Sequence, residues 1–288
     1  MDAISNVRFR KMNGLGNDFV VLDARENALK IAAHDAQRMG NRKDGIGCDQ
    51  VIVLEPSAKA DIFMRIFNAD GSEVDACGNA TRCVALIAAA ERERQDVSVE
   101  TNSGILRAKV DGPESITIDM GRPRFGWEDI PLAEPFHDTT GIELQIGPVD
   151  APVLHTPSVV NVGNPHAIFW VDDVHAHDLG RFGPLLENHP IFPERANISL
   201  AQIISRSHIK LRTWERGAGL TKACGTAACA AAVAAARKDL TDRKVTVELP
   251  GGELFIEWAA DDHILMRGPA ELEFEGTLAP DTLSRAPV

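Results

Sequence analysis

The sequence predicts an α+β fold made by internal duplication. Each of two similar halves is a mostly antiparallel sheet wrapped around one central helix. Three observations predict it. Strand-like alternation recurs through the whole chain, interrupted by few helical stretches. Two of those stretches, after Cys77 and after Cys224, are rich in alanine and other small residues, a composition that favours helix. The landmarks of one half also return in the other at a fixed distance. Cys77 and Cys224 stand 147 positions apart, as do Arg65 and Arg212, and Gly16-Asn17 and Gly163-Asn164. Val97-Ser98-Val99-Glu100 returns as Val245-Thr246-Val247-Glu248, and Gly104 as Gly252, at 148 positions. An offset held through five landmarks marks a repeat.

Taken in order, residues 7–12 and 19–23 read as strands around the turn Asn13-Gly14-Leu15-Gly16-Asn17-Asp18. Residues 33–40 suit a short helix and 51–55 a buried strand. Residues 62–67 form the strand before the first cysteine, and a helix is expected over 77–94. Three strands follow at 97–101, 105–110 and 115–120, with turns at Asn102-Ser103-Gly104 and Asp111-Gly112-Pro113. The proline- and glycine-rich stretch 121–157 holds the boundary. The second half then offers a strand at 167–171, a helix at 178–188 and strands at 198–204 and 209–214. The helix of Cys224 comes next, then strands at 245–249, 253–258, 264–267 and 272–274. The halves are expected to be 1–125, joined by a last strand at 272–280, and 126–271, with the active site in the cleft between them. The tail after Leu278 is expected to be mobile.

Composition narrows the function. The chain has 288 residues, 44% of them hydrophobic, enough for a core in each half. Its formal net charge of −12, with no basic run, argues against nucleic acid or an anionic membrane surface as partner. No run of apolar residues is long enough to cross a bilayer. The opening Met1-Asp2-Ala3-Ile4-Ser5-Asn6 lacks the apolar core of a secretion signal. With five cysteines, an odd number, this predicts reduced thiols and a cytoplasmic location.

The glycine-rich turns do not make a nucleotide site. Gly14-Leu15-Gly16 would need a glycine where Phe19 stands, and no Gly-x-x-x-x-Gly-Lys occurs. Neither Cys77 with Cys83 nor Cys224 with Cys229 has zinc-site spacing and histidine partners, so no metal is expected. Cys48, Cys83 and Cys229 read as small core residues. Cys77 and Cys224 differ from these. Each follows a polar loop, precedes a glycine and begins a helix, where unpaired N–H groups and the helix dipole favour negative charge. Such a position is expected to lower a thiol pKa and to bind an anion. Two thiols related by the duplication would face one pocket from opposite sides. One could then remove a proton from carbon while the other returns a proton to the opposite face, inverting a stereocentre. The amides of Gly78, Asn79, Gly225 and Thr226 would hold the substrate carboxylate and the charge that develops on deprotonation.

At these residues the chain resembles the diaminopimelate epimerases, and the resemblance covers nearly its whole length. It rests on Asn13-Gly14-Leu15-Gly16-Asn17-Asp18-Phe19, Gly45-Ile46-Gly47-Cys48-Asp49-Gln50, Arg65-Ile66-Phe67-Asn68-Ala69-Asp70-Gly71-Ser72-Glu73 and Ala76-Cys77-Gly78-Asn79. In the second half it rests on Gly163-Asn164-Pro165-His166, Pro193-Glu194-Arg195-Ala196-Asn197, Glu215-Arg216-Gly217-Ala218-Gly219 and Ala223-Cys224-Gly225-Thr226. The resemblance implies a cofactor-independent epimerase that converts LL-2,6-diaminopimelate to the meso isomer, in lysine and peptidoglycan synthesis. It implies Cys77 and Cys224 as the acid/base pair. Asn17, Gln50, Asn68, Asn164, Asn197 and Arg216 become substrate contacts, several of them at the distal amino-acid centre. His166 and Glu215 are implied beside the reacting centre, with Glu215 receiving the ammonium, and a homodimer is implied as the assembly. The chain departs from the family pattern at Ala80 and Ala227, where glycine is usual, and at Leu220, where glutamate is usual.

Other readings are a proline or hydroxyproline racemase of the same duplicated fold, a cysteine hydrolase with Cys224 as nucleophile and His166 as base, and an amino-acid-binding protein without activity. The hydrolase leaves the duplicated Cys77 unexplained.

Overall fold

A computed structural model describes residues 7–278. The chain forms two compact units. One runs to Ile118 and resumes at Gly268, and the other is Asp119–Arg267.

In the first unit β1 (Arg8–Asn13) and β2 (Asp18–Asp23) form an antiparallel hairpin. Helix α1 (Ala33–Gly40) then carries the chain over so that β3 (Gln50–Glu55) pairs parallel to β2, with Phe19 opposite Gln50. Strand β4 (Ile62–Asn68) returns antiparallel to β3, and the short β5 (Glu73–Val74) folds back on its end. Helix α2 (Gly78–Arg92) makes a second crossover. Strand β6 (Asp96–Thr101) therefore lies parallel to β4, with Ile62 opposite Val99. Strand β7 (Gly104–Val110) is antiparallel to β6, and β8 (Ile116–Asp119) follows.

The second unit opens with a small ribbon of β9 (Gln145–Ile146) and β10 (Leu154–His155). It then repeats the plan. Strands β11 (Ser158–Asn161) and β12 (Pro165–Trp170) are antiparallel, helix α3 (Leu179–Glu187) crosses, and β13 (Asn197–Ser205) pairs parallel to β12 with His166 opposite Asn197. Strand β14 (His208–Glu215) turns back into β15 (Gly219–Leu220), helix α4 (Gly225–Arg237) crosses, and β16 (Lys244–Leu249) runs parallel to β14 with Ile209 opposite Val247. Strands β17 (Gly252–Trp258) and β18 (Ile264–Gly268) continue antiparallel. The last strand, β19 (Glu271–Thr277), pairs with β1 in the first unit. The duplication therefore extends to strand register: Phe19 opposite Gln50 becomes His166 opposite Asn197, and Ile62 opposite Val99 becomes Ile209 opposite Val247.

Alanine explains why α4 can sit inside its sheet. The helix packs against β11, β12, β13, β14, β16 and β17, and every residue from Ala227 to Ala235 is buried. Longer side chains would hold those strands away. Helix α2 packs on β4, β6 and β7 in the same manner. A second core lies on the opposite face of each sheet. In the first unit Ala36 and Met39 of α1 meet Val20, Leu22, Val51 and Val53. In the second, Leu179 and Leu186 of α3 meet Phe169, Ile198 and Leu200.

The structure differs from the sequence reading in several places. The boundaries fall at 118/119 and 267/268 instead of 125/126 and 271/272. Hydrogen bonds from Met120 N to Ile264 O and from Ile264 N to Gly121 O bind that segment into the second unit. Helix α2 stops at Arg92 because Glu93 turns left-handed, with φ of 50°. Strand β11 and the two-residue strands β5, β9, β10 and β15 are too short to show alternation. Residues 279–280 of the expected last strand, and the expected mobile tail, lie outside the described residues.

Candidate active site

Cys77 and Cys224 occupy the N-cap positions of α2 and α4, with extended backbone at φ −148° and −121°. Each thiol therefore stands beside the first-turn amides, which the helix's own carbonyls do not satisfy. Gly78 and Gly225 follow as first helical residues, with Asn79 and Thr226 next.

In the first unit Cys77 is half-buried, and its Sγ lies 3.9 Å from Asn17 Oδ1. Asn17 Nδ2 donates to Asp49 Oδ2 at 2.8 Å, and the Asp18 amide donates to the same oxygen at 3.1 Å. Lys11, though buried, binds Asp18 and donates to Gly47 O at 2.6 Å. Arg42 reaches Asp18 and Asp49 at 2.8 and 2.7 Å. Burial alone would raise the Asp18 pKa; the hydrogen bonds from Arg42 and Lys11 outweigh it and hold the carboxyl well below the usual range. The turn bearing Asn17 is thus fastened to the segment bearing Gln50. Gln50 Nε2 donates to Asn68 Oδ1 at 3.0 Å, and Asn68 Nδ2 to Ser72 Oγ at 3.0 Å. Asn79 is buried, and Gly14 fits against it closely: a β-carbon at Gly14 would lie 3.0 Å from Asn79 O.

In the second unit Asn164 Oδ1 meets His166 Nε2 at 2.8 Å. His166 is fully buried, its Nδ1 has no hydrogen-bond partner among the described residues, and burial followed by the charge of Arg216 lowers its pKa to about 3. It is a neutral imidazole at ordinary pH. Asn197 Nδ2 donates to Pro165 O at 2.9 Å, while its Oδ1 accepts the Arg216 amide at 3.0 Å. The Arg216 guanidinium donates to Glu194 O at 3.0 Å. Thr221 Oγ1 donates to Glu215 Oε1. Cys224 is buried, 3.4 Å from Thr226 Oγ1, and hydrogen-bonded to the Glu215 carboxylate.

This last arrangement corrects an expectation. A helix N-terminus should lower a thiol pKa, but Cys224 is pushed well above its ordinary value. Burial is the first cause and the Glu215 charge the second; the Thr226 hydroxyl opposes them without prevailing. Cys224 in this form is a thiol. Cys48 and Cys83 are also raised by burial, to about 11 and about 12, as suits core cysteines.

Each unit gathers its own share of the residues singled out in the sequence, and the shares correspond at the 147-position offset. Asn17 corresponds to Asn164, Gln50 to Asn197, Asn68 to Glu215 and Asn79 to Thr226. The exceptions carry the added chemistry: where the first unit has Phe19 and Ala69, the second has His166 and Arg216. Sequence reading passed over Asp49, Thr221 and Glu187, which hold these residues in place. Asp49 lies inside a quoted motif, whereas no local pattern marks the other two.

The family model described as diaminopimelate epimerase matches residues 9–126 and 158–273. A diaminopimelate epimerase of Rhodopseudomonas palustris strain BisB18 is 58% identical over 289 residues, covering 99% of both chains. That of Nitrobacter hamburgensis is 56% identical over 284 residues, covering 97% of this chain and 98% of the relative. Among solved structures, a hydroxyproline epimerase from Agrobacterium vitis superposes with a TM-score of 0.67 at 14% identity, covering 98% of this chain and 94% of that one. A predicted epimerase from Pseudomonas aeruginosa gives 0.66 at 20% identity, covering 94% and 99%. At such identities the solved structures speak for the fold alone.

Proposed function

The chain belongs to the diaminopimelate epimerase family, and we propose that it inverts one α-carbon of 2,6-diaminopimelate with Cys77 and Cys224 as its two acid/base groups. It is accordingly an isomerase, and its product serves lysine biosynthesis. The observation that carries the two-thiol reading is the match between the two N-caps. Each unit supplies one cysteine at the start of its buried helix, and the strands that helix joins pair in matching register.

The chemistry follows from that pairing. A thiolate takes the α-proton and becomes a thiol, while the opposing thiol gives its proton to the other face of the carbon and becomes a thiolate. The stereocentre is inverted and the two sulfurs have exchanged protonation states, so the reverse reaction starts from the other cysteine. Cys224, raised by burial and by Glu215, suits the proton donor. Asn17 and Glu215 lie beside the two sulfurs, one neutral and one charged. The amides of Gly78, Asn79, Gly225 and Thr226 serve the reacting carboxylate, whose charge grows as the proton leaves. Glu215 takes the ammonium. Arg216 pairs with a carboxylate, with Gln50, Asn68, Asn164 and Asn197 as neutral contacts, and the neutral His166 lies beside the reacting centre. No cofactor enters this scheme. The family likeness supports a cytoplasmic homodimer and a product that also feeds peptidoglycan. Among the described residues no helix is long and apolar enough to cross a membrane.

Substitution of either cysteine tests the scheme. Cys77→Ala and Cys224→Ala should each stop epimerisation in both directions, since each isomer needs a base and an acid. Normal turnover by either variant would refute the two-thiol reading.

A further inference from the structure

Resting on the roles just given to Glu215 and Arg216, we propose that Glu187 is a positioning residue, a buried carboxylate that clamps the turn carrying both. Glu187 is the last residue of α3 and only 4% exposed. Its Oε2 accepts Trp214 Nε1 at 2.7 Å, and its Oε1 accepts the Gly217 amide at 2.9 Å and Arg195 at 3.1 Å. The two anchored residues, Trp214 and Gly217, bracket Glu215 and Arg216. The Arg216 amide is meanwhile held by Asn197 Oδ1 at 3.0 Å. The chain from 214 to 217 is therefore held at three points, the Trp214 indole and the Arg216 and Gly217 amides, and the candidate residues have little backbone freedom left. Burying a carboxylate is costly, and here the cost is offset by the Arg195 guanidinium together with the backbone and indole N–H groups that fix its geometry.

The duplication supplies a second and independent observation. At the 147-position offset Glu187 corresponds to Gly40, and Arg216 to Ala69. In the first unit these two positions lie close together: a β-carbon on Gly40 would lie 3.0 Å from the Cα and Cβ of Ala69. A side chain at position 40 would thus be a tight fit even though position 69 is small and uncharged. The second unit has both the arginine and the carboxylate that holds its turn. The clamp and the charged pair belong to the same half, as expected if one serves the other.

The test is a double-mutant cycle read by calorimetric binding of diaminopimelate in a Cys77→Ala background, where turnover does not interfere. Glu187→Gln keeps the size but cannot accept all its donors; it should weaken binding about tenfold, the scale of a misplaced charge-assisted contact. In a protein already carrying Arg216→Lys, the same change should cost clearly less than about tenfold, because one of the two contacts it positions is already weakened. An equal fold-loss in both backgrounds, or parent-like binding by Glu187→Gln, would overturn the proposal. Should Glu187→Gln fail to fold, Trp214→Phe removes one donor and keeps the ring, and the same coupling to Arg216→Lys is expected. Failure of the Cys77→Ala parent to bind diaminopimelate would instead overturn the functional reading itself.

Discussion

Asn17 Oδ1 faces Cys77 Sγ across 3.9 Å because Asp49 holds the other side of the same amide, accepting from Asn17 Nδ2 at 2.8 Å. A carboxylate can only accept, so the amide must present N–H to Asp49 and oxygen to sulfur. Asp49→Ala removes that constraint. We expect kcat/KM to fall about tenfold to a hundredfold, as is usual when a supporting hydrogen bond to a working group is lost, and Asp49→Asn, which can still accept, to lose less. Steady-state kinetics on both isomers checks the order.

His166 should make the second unit acid-sensitive. Its folded pKa of about 3 lies below the ordinary 6.5, so the unfolded chain takes up the proton first as pH falls. Its contribution is intact above about pH 6.5 and is lost progressively toward pH 3, on the order of a few kcal/mol. Asp18, held low, loses stability in the same direction on acidification. His166→Phe, which installs the residue found at the corresponding Phe19, should flatten the fall. Urea midpoints of parent and variant at pH 7.5, 5.5 and 4.5, values chosen to span roughly this window, provide the comparison.

The cysteines should alkylate in an order set by burial and charge. Cys77 is half-buried; Cys224 is buried and raised by burial and Glu215; Cys48, Cys83 and Cys229 are closed in the core. Iodoacetamide at about pH 8, below the ordinary thiol pKa, should reach Cys77 first, Cys224 more slowly and the other three last. Peptide mapping by mass spectrometry reads the sequence of labelling. Early labelling of Cys83 or Cys229 would contradict the packing of α2 and α4.

The duplication and nearly all of its longer elements were legible because apolar alternation and constant spacing are properties of sequence. Alanine runs announced α2 and α4 for the same reason. The short strand β11 carries too few residues to show a period. The thiol environments were less legible. The position at a helix start pointed Cys224 toward a lowered pKa, but the outcome depends on burial and on Glu215, nine positions earlier in sequence. Glu187 shows the limit most plainly. Its role depends on partners at 195, 214 and 217 brought together by the fold, and only alignment of one half on the other sets it against Gly40.

The most direct test of the two-thiol account is epimerisation of LL-diaminopimelate in deuterated water, without added cofactor, followed through the first few per cent of conversion. One thiol removes the proton and the other, bearing solvent deuterium, returns one. The account therefore predicts meso product carrying deuterium at the inverted carbon while the remaining LL substrate carries almost none. Deuterium appearing in recovered LL substrate as fast as in product would mean that a single base serves both faces, and would contradict it.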